Sequence, residues 1–159
     1  MTITPDIRFY DTSSLLIKGF DNEPFVISSI TLQELENIKT ASNKDDETKY
    51  KARQILHYLD ENKELYNVHI FKESMLQPII DKDLTVSNDM RILATAIDYN
   101  NTIRTDEVIF VTNDLALKTI ANLFFGDKMI ESVEPKEDNY KGYLDIQLNN
   151  DVMATFYSN

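Results

Sequence analysis

The sequence predicts an α/β fold: a central, mainly parallel sheet with helices on both faces. Three observations predict it. Strand-like segments alternate with segments of helical period, the order that builds parallel sheets. The run Val108-Ile109-Phe110-Val111 is short, apolar and rich in β-branched residues, as a strand covered on both faces is. Each such run ends in polar, cap-forming residues, and a helical stretch follows. A chain of 159 residues with 3 Gly and 4 Pro has no visible linker, repeat or low-complexity segment, so one domain accounts for most of it.

Residues 6–10 read as the first strand, with Ile7 and Phe9 on one face and Asp11 ending it. Thr12-Ser13-Ser14 then opens a short helix through Leu15, Leu16 and Ile17, stopped by Gly19. A second strand runs from Phe25 to Ile30. Thr31 and Glu34 have the spacing of a capping box, with Thr31 as N-cap of a helix through Leu35, Ile38 and Ala41. A further helix is expected from about Thr48 to Asn62, with Ala52, Ile55, Leu56 and Leu59 inward. Its other face carries Lys49, Lys51, Arg53 and Gln54, the one local basic cluster. Val68, Ile70 and Phe71 suggest a short third strand, and Pro78 a loop or short helix. Ser87 caps a helix from Asn88 to about Tyr99. The strand at 107–111 follows, then a helix with Leu117, Ile120, Ala121 and Phe124 inward, and a strand near Met129 to Val133.

Composition narrows the function. Without cysteine there is no disulfide scaffold, cysteine-zinc site or thiol nucleophile, which suits a cytoplasmic protein. No apolar run approaches the roughly 20 residues of a membrane span, so no membrane association is expected. No signal peptide is visible. A net charge of −11 argues against coating nucleic acid through bulk charge, and leaves room for a local basic patch or bound cations. There is neither a phosphate-binding loop nor a dinucleotide fingerprint. The acid pairing and late lysine of a phosphorylatable receiver domain are also missing.

Four acids fall where strands end and helices begin: Asp11, Glu34, Asp89 and Asp114. In open parallel sheets that edge binds ligands. Asp89 shares a helical stripe with Ile92, Leu93 and Ala96, Asp114 with Leu117 and Ala121, and Glu34 with Ile38 and Ala41. Each is therefore expected to aim inward over the sheet edge. Singly, each can be a helix cap or a favourable charge at a helix start. Capping does not explain three of them on apolar stripes. Converging carboxylates repel, and a cation offsets that cost. Hard oxygen donors suit Mg²⁺ or Mn²⁺, and phosphodiester cleavage is the natural chemistry. Neutralising Asp11 or Asp89 is expected to relieve repulsion in the absence of metal.

These residues also carry a family resemblance. Asp11-Thr12-Ser13, Gln33-Glu34-Leu35, Asn88-Asp89-Met90-Arg91-Ile92-Leu93-Ala94 and Val111-Thr112-Asn113-Asp114 resemble the signatures of PIN domains. PIN domains are Mg²⁺/Mn²⁺-dependent nucleases, mostly ribonucleases, and include the VapC toxins. The resemblance covers roughly residues 7–140; the four motifs are specific jointly and none is so alone. The stretch from Ile30 to Lys39, Lys51-Ala52-Arg53-Gln54 and Tyr140-Lys141-Gly142-Tyr143 look closest to the PIN portion ahead of PhoH-type ATPases. Ser13 stands where many relatives carry Asn.

The resemblance implies a PIN-like three-layer sandwich and a metal-dependent ribonuclease acting on single-stranded RNA. Asp11, Glu34, Asp89 and Asp114 would be both catalytic and metal-holding, with one or two Mg²⁺ or Mn²⁺ ions activating water for in-line attack on phosphorus. Thr12, Ser13, Thr112, Asn113, Lys51 and Arg53 would contact substrate, with Arg91 and Lys118 as further phosphate contacts. Ser and Thr after a strand are equally ordinary helix starters, and each basic residue is by default a solvated charge. His57 and His69 have no second ligand at metal spacing, and His57 is expected on a solvated helix surface. The alternative is a non-catalytic RNA-binding or regulatory module of the same fold, serving an ATPase domain.

The expected nuclease unit is 1–140, with 141–159 an extension or linker. Leu144, Ile146 and Leu148 alternate with Asp145 and Gln147 as in a strand, and Val152, Met153, Phe156 and Tyr157 fit a helix or a return strand. That pattern resembles the segment joining nuclease to ATPase in PhoH-type proteins, so a following or associated ATPase domain is expected. Alone, its apolar face is left for loose packing or for self-association into a homo-oligomer.

Overall fold

The computed structural model describes residues 6–18, 21–102, 107–126 and 129–133. It contains strands β1 (Asp6–Tyr10), β2 (Phe25–Ser28), β3 (Tyr66–His69), β4 (Glu107–Val111) and β5 (Ile130–Glu131). The helices are α1 (Thr12–Ile17), α2 (Ser29–Thr40), α3 (Asp46–Glu61), α4 (Gln77–Asp81), α5 (Asn88–Thr102) and α6 (Leu115–Ala121). A 3-10 turn, Glu73–Leu76, leads into α4, whose first turn holds the expected proline, Pro78. Gly19 and the segment 141–159, with their expected helix stop and tail elements, lie outside the described residues.

All strand pairings are parallel, and the sheet order is β3-β2-β1-β4-β5. Period-two alternation divides the strand side chains between two cores. Phe9, Val26, Val108 and Phe110 join α5, α6 and Ile79 of α4 on one face. Tyr10, Phe25, Ile27, Ile109 and Val111 join Leu15 of α1, Leu35 of α2 and Ala52, Ile55 and Leu59 of α3 on the other. Phe9, Phe25 and Phe110 are at most 1% exposed, and each contributes about 1.5–3 kcal/mol by leaving water. The fold is the expected three-layer α/β sandwich. Among the described residues no helix is long and apolar enough to cross a membrane.

The boundary between β2 and α2 differs from the sequence expectation. β2 ends at Ser28, and α2 begins at Ser29. Ser28 is the N-cap: its hydroxyl accepts the Ile30 N–H at 3.1 Å. The capping box of Thr31 and Glu34 does not form. Two serines ahead of Thr31 start the helix one turn early, because serine caps as well as threonine.

Candidate active site

The strand order changes direction between β1 and β4, which leave the sheet toward opposite neighbours. In a doubly wound sheet the crevice at that point, outside the carboxyl ends of the strands, is where ligands bind. Asp11 follows β1 directly and Asp114 follows β4 after two residues. The Asp11 N–H donates to the Val111 carbonyl at 3.1 Å, which ties the two strand ends together.

Asp11 is only 2% exposed. Ser14 donates its N–H at 2.8 Å and its hydroxyl lies at 2.6 Å from the same oxygen, Asp11 Oδ1. Thr112 donates its hydroxyl to Asp11 Oδ2 at 2.6 Å. The Ser13 hydroxyl stands 3.2 Å from both oxygens. A buried carboxylate persists only with such partners. Thr112 also accepts the Asp114 N–H at 3.1 Å, so one buried hydroxyl links two acids of the site.

Glu34, freed from the capping box, lies in the second turn of α2 and meets Thr12. Thr12 Oγ1 is 2.5 Å from Glu34 Oε1 and 3.1 Å from Thr31 Oγ1. The Thr12 hydroxyl has one proton, and the short contact to the carboxylate takes it. Thr31, fully buried, then donates to Thr12. Glu34 is thus aimed by a relay of two threonines.

Asp89 is different. It lies in the first turn of α5, behind Ser87, which accepts the Met90 N–H at 3.3 Å. Its carboxylate is partly buried and has no hydrogen-bond partner among the described residues. Burial pushes it above the ordinary carboxylate range, and the charges of Asp114, Glu34 and Asp11 push it further. All four acids therefore act within one field. Asp114 itself is exposed, against the expectation of an inward aim. It is the N-cap of α6 and accepts the Leu117 N–H at 3.1 Å. A cap residue precedes the helical stripe and turns back to the first N–H groups, so stripe arithmetic does not apply to it.

The profile of the PIN-domain family matches residues 10–124. The chain belongs to the PIN-domain family. PIN domains are generally nucleases. Among solved structures, the chain is similar to one in the VapBC2 complex from Rickettsia felis bound to a DNA fragment from its promoter. That likeness has 22% identity and a TM-score of 0.49, and covers 80% of this chain and 99% of the other. Comparison with curated proteins gives no match. Nothing in these comparisons sets this PIN domain beside the PhoH-type proteins.

Among the described residues of this PIN domain, no three acidic or histidine side chains are arranged to hold one ion. Hydroxyl donors hold the Asp11 and Glu34 carboxylates where they stand. The donor chemistry nevertheless fits a hard divalent cation: every candidate ligand is a carboxylate oxygen, and Asp89 is a partly buried carboxylate among like charges with no ion-pair partner among the described residues.

The remaining sequence candidates divide by exposure. Ser13 is exposed beside Asp11. Thr12 and Thr112 are buried, at 9% and 0% exposure, and serve Glu34 and Asp11; neither presents a hydroxyl to substrate. Asn113 is exposed, but its amide clamps Val133, accepting its N–H and donating to its carbonyl, both at 2.8 Å. Lys51 and Arg53 are exposed on α3, a helix that carries none of the four acids; Lys51 lies 3.8 Å from Glu47. Arg91 donates to Asn88 at 2.9 Å and Lys118 to Ser132 at 3.2 Å. His57 is exposed, as expected. His69 pairs with Asp98 at 2.8 Å, a contact across 29 positions that no local pattern announces. Sequence reading also missed Ser14 and the supporting role of Thr31. The only signal was the density of hydroxyls in Thr12-Ser13-Ser14.

Proposed function

We propose that this PIN domain is a divalent-metal-dependent ribonuclease that cleaves phosphodiester bonds in single-stranded RNA in the cytosol. The observation that carries the reading is the placement of Asp11 and Asp114 just beyond the adjacent strands β1 and β4, with Glu34 joined to Thr12 beside Asp11. Asp11, Glu34, Asp89 and Asp114 would hold one or two Mg²⁺ or Mn²⁺ ions. Such an ion supplies Lewis-acid chemistry, activating water and offsetting charge on the phosphate. Asp11 and Glu34 bring carboxylates oriented in advance by Ser14, Thr112 and Thr12. Asp89 brings one free of hydrogen bonds among the described residues and therefore able to adjust. Ser13 and Asn113, both exposed, would contact an approaching phosphate. Lys51 and Arg53 extend the contact along the RNA backbone.

The test has two arms. Calorimetric titration of Mn²⁺ should show binding to the parent and loss of it in Asp89→Asn. Labelled single-stranded RNA should be cut with Mg²⁺ or Mn²⁺ and left whole in chelator, with single-stranded DNA and duplex RNA as comparison substrates. Robust cutting in excess chelator removes the metal mechanism. Tight metal and RNA binding with no cutting under any metal turns the reading to a binding module.

We further propose residues 1–140 as the nuclease unit and 141–159 as an extension toward an associated domain, on the strength of the alternating pattern at 143–148. Limited proteolysis tests it: the extension should be removed while residues 7–133 survive.

A further inference from the structure

We infer that Ser14 is a positioning residue for the proposed metal site: its hydroxyl fixes the orientation of Asp11 and so sets the affinity for the cation. The inference rests on the metal-dependent reading above.

Among the described residues, the buried polar side chains are Asp11, Lys18 and six hydroxyl residues: Thr12, Ser14, Ser28, Thr31, Thr95 and Thr112. Two of these hydroxyls donate directly to Asp11, those of Ser14 and Thr112. Ser14 is 0% exposed. Its oxygen lies 2.6 Å from Asp11 Oδ1, 2.9 Å from the Val111 carbonyl and 3.1 Å from the Asp11 carbonyl. It carries one proton for three acceptors. The shortest contact is to an ionised oxygen, where a hydrogen bond is strongest, so the proton goes to Asp11. Asp11 Oδ1 thus receives both the N–H and the O–H of one residue, and Oδ2 receives Thr112. The long Ser13 contacts are the ones an incoming cation can displace. Ser14 therefore decides which face of the Asp11 carboxylate remains for the cation.

A merely structural Ser14 would be a polar residue in the first turn of α1, worth some stability and nothing else. Partners that orient a metal ligand behave differently: removing one typically lowers metal affinity by about 10–100-fold. Ser28 provides the comparison. It is equally buried, its hydroxyl caps α2 and meets Thr95 at 3.1 Å, and it touches none of the four acids.

The experiment measures Mn²⁺ affinity by calorimetry and the Mn²⁺ electron paramagnetic resonance spectrum, on the full chain and on variants shown to be folded by circular dichroism. Ser14→Ala should bind Mn²⁺ about tenfold or more weakly with an altered spectrum. Ser28→Ala should be less stable yet bind like the parent. Ser14→Cys keeps the shape with a weak donor, and should also lose affinity; it replaces Ser14→Ala where alanine does not fold. Parent affinity and spectrum in a folded Ser14→Ala or Ser14→Cys overturns the inference while the metal site stands. A parent that binds no Mn²⁺, or an Asp11→Asn variant that binds as the parent does, overturns the metal-dependent reading and this inference with it.

Discussion

Asp11 and Asp89 belong to one acidic site and are built in opposite ways. Asp11 is almost wholly buried and is held by Ser13, Ser14 and Thr112. Asp89 is less buried and, among the described residues, accepts no hydrogen bond. The better-buried acid is the better-satisfied one, because a carboxylate withdrawn from water needs donors from the protein in its place. Asp11 is consequently part of the framework, and Asp89 is a charge placed among like charges. Relief of repulsion on neutralisation is the expectation from sequence for both acids; the hydrogen bonds that Asp11 accepts oppose it there, and Asp89 accepts none among the described residues.

That contrast can be broken by experiment. The largest effect is expected from Asp11→Asn in chelator. The amide turns a donor toward groups that themselves donate, and each hydrogen bond to a charged group is worth roughly 1.5–3 kcal/mol. Urea unfolding should show a loss of about 2–3 kcal/mol; a gain would mean that repulsion dominates at Asp11 as well. Thr112→Val keeps the shape, strips a donor from Asp11 and leaves the Asp114 N–H without its acceptor. Its expected cost is about 1–3 kcal/mol, with most of it restored in Thr112→Ser.

Smaller effects sharpen the picture around α2. Ser28→Ala removes the cap that the structure assigns and should cost about 1 kcal/mol. Glu34→Gln should show no cap loss, since Glu34 reaches Thr12 and not the start of its own helix. A cap-sized loss in Glu34→Gln would restore the capping box.

Asp89→Asn is expected to give the smallest change, and one of opposite sign. Folding raises the affinity of Asp89 for a proton, first through burial and then through Asp114, Glu34 and Asp11. The native state therefore binds more protons than the unfolded one between the ordinary carboxylate range and the raised value. Its contribution to stability is full below that range and is lost as pH rises through the raised value. Metal-free Asp89→Asn should be more stable than the parent at neutral pH, with the gain vanishing in acid. Chemical unfolding at a series of pH values reads this directly. A pH-independent difference would show that neither burial nor the other carboxylates raise the proton affinity of Asp89.

Much of this was legible in the chain itself. Val108 to Val111 is an apolar β-branched run between polar residues, and it is a strand with the expected bounds. The stripe Ile92, Leu93, Ala96 is buried on α5 as its spacing requires. Such elements are legible because burying apolar surface at a fixed period is a local demand, satisfied by whatever core lies alongside. The cap of α2 was not legible, since Ser28, Ser29 and Thr31 all cap well and only the end of β2 decides among them. Nor were the partners of the acids. Thr112 reaches Asp11 across 101 positions and Thr12 reaches Glu34 across 22. A hydroxyl has no period and no preferred acceptor, so only the packing of strand ends at the change of sheet direction could bring these groups together. The sequence determined the sheet, its helices and the four acids at their junctions. The tertiary structure decided which acid is tethered and which is left charged among charges, because in a buried crevice a carboxylate is governed by the donors within 3 Å of it and not by its neighbours in the chain.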